Sequence, residues 1–356
     1  MNITYLIGNG FDLNMGLNTK YTDFIKWLSA EKLSDYDSIK ELQKSIDDYC
    51  KKKTTDTVIN WSDTETALGL FTHSFKGRSY GDKEIDECHT YLCEKLSEYL
   101  QREEKRVPIT QIIRNKSIIE NVGSGMLNYT VGLTPVDANI IKNHVSEIGG
   151  RFYLRVIYFN YTSILDQLLQ EVQKQGSLGI RMYRNTRFNN TIDEPIHVHG
   201  NLKHGLIFGV DNESQLCAEV FKDEEPERKR ALIKKYSIED MGEAIDEQVI
   251  KTINESHMIY IYGMSIGATD KRWWEHILHK LNEDQKCMLI IHNLSVPEIG
   301  LKPQPYRKFC RLNRDKFLEN GSDLNEDQKK SIRDRIYYTN ANVFATLENI
   351  VNKIPK

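Results

Sequence analysis

No stretch of this chain is apolar for long enough to cross a bilayer. The longest candidates, such as Met258 to Tyr262, fall far short of the roughly 20 residues a spanning helix needs. No basic region followed by an apolar run opens the chain, so MNITYLIGNG is expected to begin a strand and not a secretory signal. No pair of the six cysteines has CxxC spacing, which argues against a structural zinc site and leaves reduced, buried thiols in a cytoplasmic protein as the expectation. Nor is there an excess of positive charge: the formal net charge is -3, which provides no global field for nucleic acid. The basic run Arg228-Lys229-Arg230, continued at Lys234-Lys235, is interleaved with acids at 223–227 and reads as a solvated helix face. Metal and membrane are therefore absent from the expected partners, and no nucleic-acid surface is evident.

What the sequence does contain is a globular composition, 39% apolar and 28% charged over 356 residues, enough for two domains or one domain with an insertion. Short apolar runs at Asn2–Ile7, Phe152–Phe159, Met258–Tyr262 and Cys287–His292 read as buried strands, with shorter ones at Ile196–Val198, Leu206–Val210 and Ile336–Thr339. Helical patterns lie between them, at Ile164–Val172, Glu239–Asn254 and from about Thr269. Thr19, Thr162 and Asp63 are candidate helix caps. Alternating strands and helices imply an α/β fold with a doubly wound, mostly parallel, Rossmann-like sheet. Residues 31–150 carry helical periodicity without a convincing strand and read as a large helical insertion. Residues 1–30 and 151–356 then make the nucleotide-binding α/β domain.

Ligands of such sheets bind beyond the carboxyl ends of the strands. Four strand ends carry residues that do nothing for a strand: Gly8-Asn9-Gly10-Phe11-Asp12, Phe159-Asn160-Tyr161-Thr162, His197-Val198-His199-Gly200 and Gly263-Met264-Ser265-Ile266-Gly267. Gly8 and Gly10 permit close approach of backbone N–H groups to a phosphate, or simply a tight turn; the third glycine of the dinucleotide fingerprint is replaced by Leu13. The Asn160 amide suits a ribose hydroxyl or a water. Alternation directs His197 and His199 to one side of a strand, where they serve as metal ligands lacking a third partner, or where His199 serves as a general base. Gly263, Ser265 and Asp270 form a second turn facing phosphate, and Trp273 and Trp274 belong to the core.

The segments NGFDLNMGLNTKYTDF, NWSDTE (Asn60–Glu65), FNYT, HVHG, LIFGVD (Leu206–Asp211) and IYGMSIGATDKRWW, in that order from Tyr5 to about Trp274, resemble the AbiH family of bacterial abortive-infection proteins directed against phage. A more distant resemblance is to sirtuin-type domains. Gly8, Gly10, Gly16 and Leu17 fall in their glycine register, Asn160 in their asparagine motif, His199-Gly200 at their catalytic His-Gly and Gly263-Met264-Ser265 at their Gly-x-Ser turn.

That second resemblance implies NAD as substrate or ligand. His199 and Asn160 would work at the nicotinamide ribose, and Asp12 would hold a ribose or developing positive charge. Gly8, Asn9, Gly10, Phe11, Thr162, Gly263, Ser265 and Asp270 would surround the nucleotide. The sirtuin zinc module is missing, so an NAD-cleaving hydrolase releasing nicotinamide is expected in place of a deacylase. The alternatives are a metal-dependent nuclease using Asp63 and Glu65, or a non-catalytic nucleotide-binding sensor. A phage-derived or host trigger and a homo-oligomer complete the expected partners.

Overall fold

The structure, a computed structural model, describes residues 1–31, 37–53, 68–69, 71–73, 82–210, 212–217, 232–240, 244–267, 270–298 and 303–351. Its centre is a parallel sheet of seven strands: β1 (Asn2–Ile7), β2 (Tyr153–Tyr158), β5 (Thr191–Ile192), β6 (Ile196–His197), β9 (Met258–Tyr262), β10 (Met288–His292) and β11 (Ile336–Thr339). Two hairpins stand outside it, β3 (Ile180–Tyr183) with β4 (Thr186–Asn189), and β7 (Gly200–Asn201) with β8 (Gly205–Leu206). The order is β11-β10-β9-β1-β2-β5, with β6 also paired to β2. The expected doubly wound, Rossmann-like α/β fold is thus present.

Period-two alternation buries both faces of this sheet, as in other parallel sheets flanked by helices. Ile3, Tyr5 and Ile7 of β1, Leu154 and Val156 of β2, and Met258, Tyr260 and Tyr262 of β9 face one layer. Leu6, Ile157, Ile259 and Ile261 face the other. The first face is covered by helices Ile109–Arg114, Lys116–Leu127, Pro135–Ile148 and Ile164–Lys174. Helices Ile245–Asn254, Lys271–Glu283 and Gln304–Leu318 cover the second.

The elements described within residues 31–150 are all helices, but they pack in two places. The helices of 109–148 belong to the first face of the sheet. Helices Asp37–Lys53 and Asp82–Glu104 form a separate core with Tyr21, Phe24, Ile25 and Leu28, joined by Tyr161, Phe208 and Val210. Asn60–Glu65, including Asp63 as a cap and both acids of the nuclease alternative, lies outside the described residues. So do Arg228-Lys229-Arg230 and Thr269.

The chain grows outward from β1 to β2, β5 and β6, then returns to the opposite side of β1 as β9. The switch point therefore falls between β1 and β9, and here the two loops touch through their main chains. Gly10 N–H donates to Gly263 O at 2.7 Å, and Gly8 N–H to Tyr262 O at 3.0 Å. A Cβ on Gly10 would lie 2.4 Å from Gly263 Cα, and Gly263 itself has φ +63°. Gly263→Ala is expected to cost about 1–3 kcal/mol for the left-handed backbone alone. The clash with Gly10 adds to this, so the melting temperature should fall by at least about 1–4 °C in thermal unfolding.

Candidate functional site at the strand ends

Beyond the carboxyl ends of β1, β2, β6 and β9 lies a cleft lined by Gly8, Asn9, Asp12, Asn160, His199, Gly263, Ser265 and Asp270, all singled out from the sequence. Thr19, Leu100, Phe159, Tyr161, Lys234 and Met264 complete it. Its open space is about 100 Å³, which accommodates several waters or a sugar-sized fragment, given about 10–15 Å³ for each water. Three expected residues do not line it. Phe11 is fully buried in the core, edge-on to Tyr158 and Phe344. Gly10 packs on Gly263, and Thr162 lies behind Asp12.

One side of the cleft rests on a buried polar cluster. Thr162 Oγ1 lies 2.9 and 3.0 Å from the two carboxylate oxygens of Asp12, and Tyr158 OH donates to Oδ1 at 3.0 Å. Asn160 Nδ2 donates to Gly8 O (3.2 Å) and to Tyr158 OH (3.3 Å), leaving its carbonyl oxygen as the amide atom for a ligand. Asp12 is 2% exposed. Burial pushes its carboxyl up to about 7, against the lowering effect of the bonds from Thr162, Tyr158 and Asn160. Thr162 therefore serves Asp12 and caps no helix; Ser163 occupies the N-cap position of the helix that follows.

The other side holds His199 and Asp270. His199 Nε2 lies 3.4 Å from Asp270 Oδ1, an ion contact too long for a good hydrogen bond. Burial, reinforced by the charge of Lys234, holds His199 below its ordinary range. Burial alone would raise Asp270, but contact with His199 and the charges of Lys234 and Arg272 outweigh it and hold the carboxyl low. His199 Nδ1 and Asp270 Oδ1 are buried without a hydrogen-bond partner among the described residues. Buried polar atoms are almost always paired, so these two ask for a ligand group or water.

His197 does not join His199. β6 ends at His197, and the chain turns through Val198 and His199 to Gly200, at φ +71°. His197 Nε2 meets Asp166 Oδ1 at 2.8 Å, and its Nδ1 lies 3.3 Å from Asn160 O. The alternation expected to bring both imidazoles to one face fails because the strand is two residues long. Among the described residues, no group of three His, Cys, Asp or Glu is placed to hold a metal ion.

The glycine turn also works differently from a phosphate cradle. The N–H groups of Gly8, Gly10 and Phe11 donate to Tyr262 O, Gly263 O and Gly8 O, so they are engaged within the protein. The Asn9 side chain bonds Thr19, accepting from Oγ1 (2.6 Å) and donating to the main-chain O (2.7 Å). Thr19 thereby fixes the loop instead of capping the helix Tyr21–Ala30, whose N-cap is Lys20. The C-terminal end of helix Asp82–Glu104 reaches the same place. Leu100 lines the cleft, Tyr99 OH donates to Asn18 O (2.5 Å), and Glu104 Oε1 accepts from Ser163 N–H (2.6 Å) at the start of helix Ile164–Lys174.

Fold and site together define a Rossmann-like α/β protein with a polar cleft over the switch point of its sheet, the position where sheets of this kind commonly bind ligands. The profile of the family described as bacteriophage abortive infection AbiH matches residues 4–292. The chain belongs to the AbiH family, and its role is in abortive-infection defence against phage. No curated protein matches it. Among the described residues no helix is long and apolar enough to cross a membrane.

Proposed function

We propose that this AbiH protein acts in phage defence by hydrolysing the nicotinamide–ribose bond of NAD in the cleft beyond β1, β2 and β9. The observation that carries the reading is that the buried atoms His199 Nδ1 and Asp270 Oδ1 have no hydrogen-bond partner among the described residues, apart from the long His199–Asp270 ion contact, and belong to residues lining a cleft that Asp12 also lines. Such an arrangement suits a polyhydroxylated ring. The space admits the reacting ribose, and the rest of the dinucleotide extends through the mouth beside Ser265.

In this reading the C1′–N1 bond breaks and its electron pair neutralises the pyridinium ring, so nicotinamide leaves uncharged. Positive charge passes to the ribose, where the Asp12 carboxylate stabilises it. Water positioned by the Asn160 carbonyl adds to C1′, and His199 takes its proton. The products are nicotinamide, ADP-ribose and one proton. Burial keeps His199 neutral and able to accept, which general-base catalysis requires.

Purified protein incubated separately with NAD, ATP, RNA and DNA tests this. NAD should be lost, with nicotinamide appearing in chromatography, and the other three should persist. NAD bound but intact would make the cleft a sensor. Metal-dependent loss of RNA or DNA would make the protein a nuclease.

A further inference from the structure

Lys234 stands in the wall of the same cleft, only 4% exposed. Lysine is almost never buried this deeply without acceptors for its charge. Its position is set by main-chain bonds. Val210 and Ile233 form an isolated bridge, Val210 N–H donates to Leu232 O (2.8 Å), and Lys234 N–H donates to Val210 O (2.9 Å). Gly209 presses so closely on Leu232 that a Cβ would come within 2.4 Å of its carbonyl oxygen. Ile207 N–H in turn donates to His199 O (2.8 Å). His199 and Lys234 are thus carried on one stitched piece of chain.

Lys234 is the permanent cation among the residues described as lining the cleft, where Asp12 and Asp270 are the acids and His199 is held neutral. Arg272, paired with Asp246 at 2.7 Å, is not among the residues lining the cleft. The main-chain donors that commonly bind phosphate in this fold, at Gly8 and Gly10, are engaged within the protein. With those two donors engaged, a cationic side chain in the cleft wall is the group suited to meet an anion. An ammonium has three donors and can serve a ligand in addition to a protein carboxylate.

We propose that Lys234 selects ligands bearing a phosphate on the ribose held by His199 and Asp270, its ammonium donating to a phosphate oxygen. The inference rests on the ribose reading of the cleft given above. Lys234 is then a specificity-determining residue, the group by which the cleft tells NAD and other 5′-phosphorylated ribosides from unphosphorylated nucleosides.

Wild type, Lys234→Met and Lys234→Arg should be assayed on NAD and on nicotinamide riboside, which lacks the phosphate. Methionine keeps a flexible apolar stem and removes the charge. The ratio of kcat/KM for NAD to that for the riboside should fall about 10- to 100-fold in Lys234→Met, the size of one charge-assisted hydrogen bond. Lys234→Arg should recover part of the ratio. An equal loss on both substrates, or no loss, overturns the proposal, because Lys234 would then act only through His199 and Asp270, or not at all.

A second readout needs no turnover. Ribose 5-phosphate should raise the melting temperature of wild type more than ribose does, and the difference should vanish in Lys234→Met. Equal shifts in wild type overturn the proposal, even where Lys234→Met does not fold. If wild type cleaves neither substrate, the hydrolase reading falls while this second readout still decides on Lys234. If wild type cleaves NAD and the ratio stays constant across the variants, only the role of Lys234 falls.

Discussion

His199→Ala is expected to slow NAD loss by about 10²–10⁴-fold, the range of a lost general base, while the chain stays folded. The imidazole meets both requirements of such a base. Burial and the charge of Lys234 keep it unprotonated at neutral pH, and the Asp270 carboxylate at 3.4 Å stabilises the imidazolium once the proton arrives. The fold depends on it less. Its ring packs edge-to-face on Phe159 at 5.6 Å and lies near Tyr161 at 6.4 Å, but Nδ1 has no partner among the described residues, and the space vacated opens into the cleft. Nicotinamide release would be timed beside circular dichroism of the same samples. A variant that consumed NAD as fast as wild type would remove His199 from the mechanism.

Asp12→Asn should separate stability from activity. The folded carboxyl titrates at about 7, the unfolded one near 3.9. Between those values the folded chain holds a proton that the unfolded chain has released. Stability from this group is therefore greatest below about pH 4, declines as pH rises, and levels off above about 7. The full difference of about 3 pH units corresponds to an upper bound of about 4 kcal/mol. Asparagine imitates the protonated acid: its oxygen accepts from Tyr158 OH while its amide donates to Thr162 Oγ1. The variant should lack this slope and be more stable than wild type at pH 8, as measured by urea unfolding across pH. Its NAD hydrolysis should be nearly lost, because the proposed mechanism needs the ionised carboxylate to stabilise the ribosyl cation. In wild type, activity should rise as pH increases through about 7. His199 opposes Asp12 in acid, since its depressed folded value costs stability as pH falls below the ordinary histidine range of about 6.5. A variant retaining full activity would show that Asp12 is purely structural.

The strand ends were legible because they break a rule: polar and glycine residues placed after apolar runs stand out against β-forming neighbours. Asn160, His199 and Ser265 stand out that way, Asp270 as the opening of the next helix, and all four line one cleft. Lys234 was hidden by the opposite effect. It sits at the end of a charged run whose texture suggests solvent, and only its main-chain bonds to Val210 carry it inward. Tyr158 reads in sequence as one more apolar strand residue, whereas in the fold its hydroxyl donates to Asp12. The hairpin β3–β4, turning at Arg184 and Asn185 with φ +48° and +64°, was likewise missed, because neither residue is the glycine that usually marks such a turn. The helices of 109–148 were assigned to an insertion for want of strands. Their apolar stripes do not reveal in sequence which neighbour they cover, and the neighbour is the central sheet.

The contact between Gly10 and Gly263 has an evolutionary corollary. Where peptide amides cradle a nucleotide, recognition is written into the backbone and no codon change can rewrite it. Here the N–H groups of Gly8 and Gly10 are tied to the neighbouring loop, and in the proposed reading discrimination falls largely to exchangeable groups: Asp12, Asn160, His199, Lys234 and Asp270. One nucleotide substitution suffices to turn any of these into a residue of different chemistry, so the cleft's selectivity can change with the scaffold left untouched.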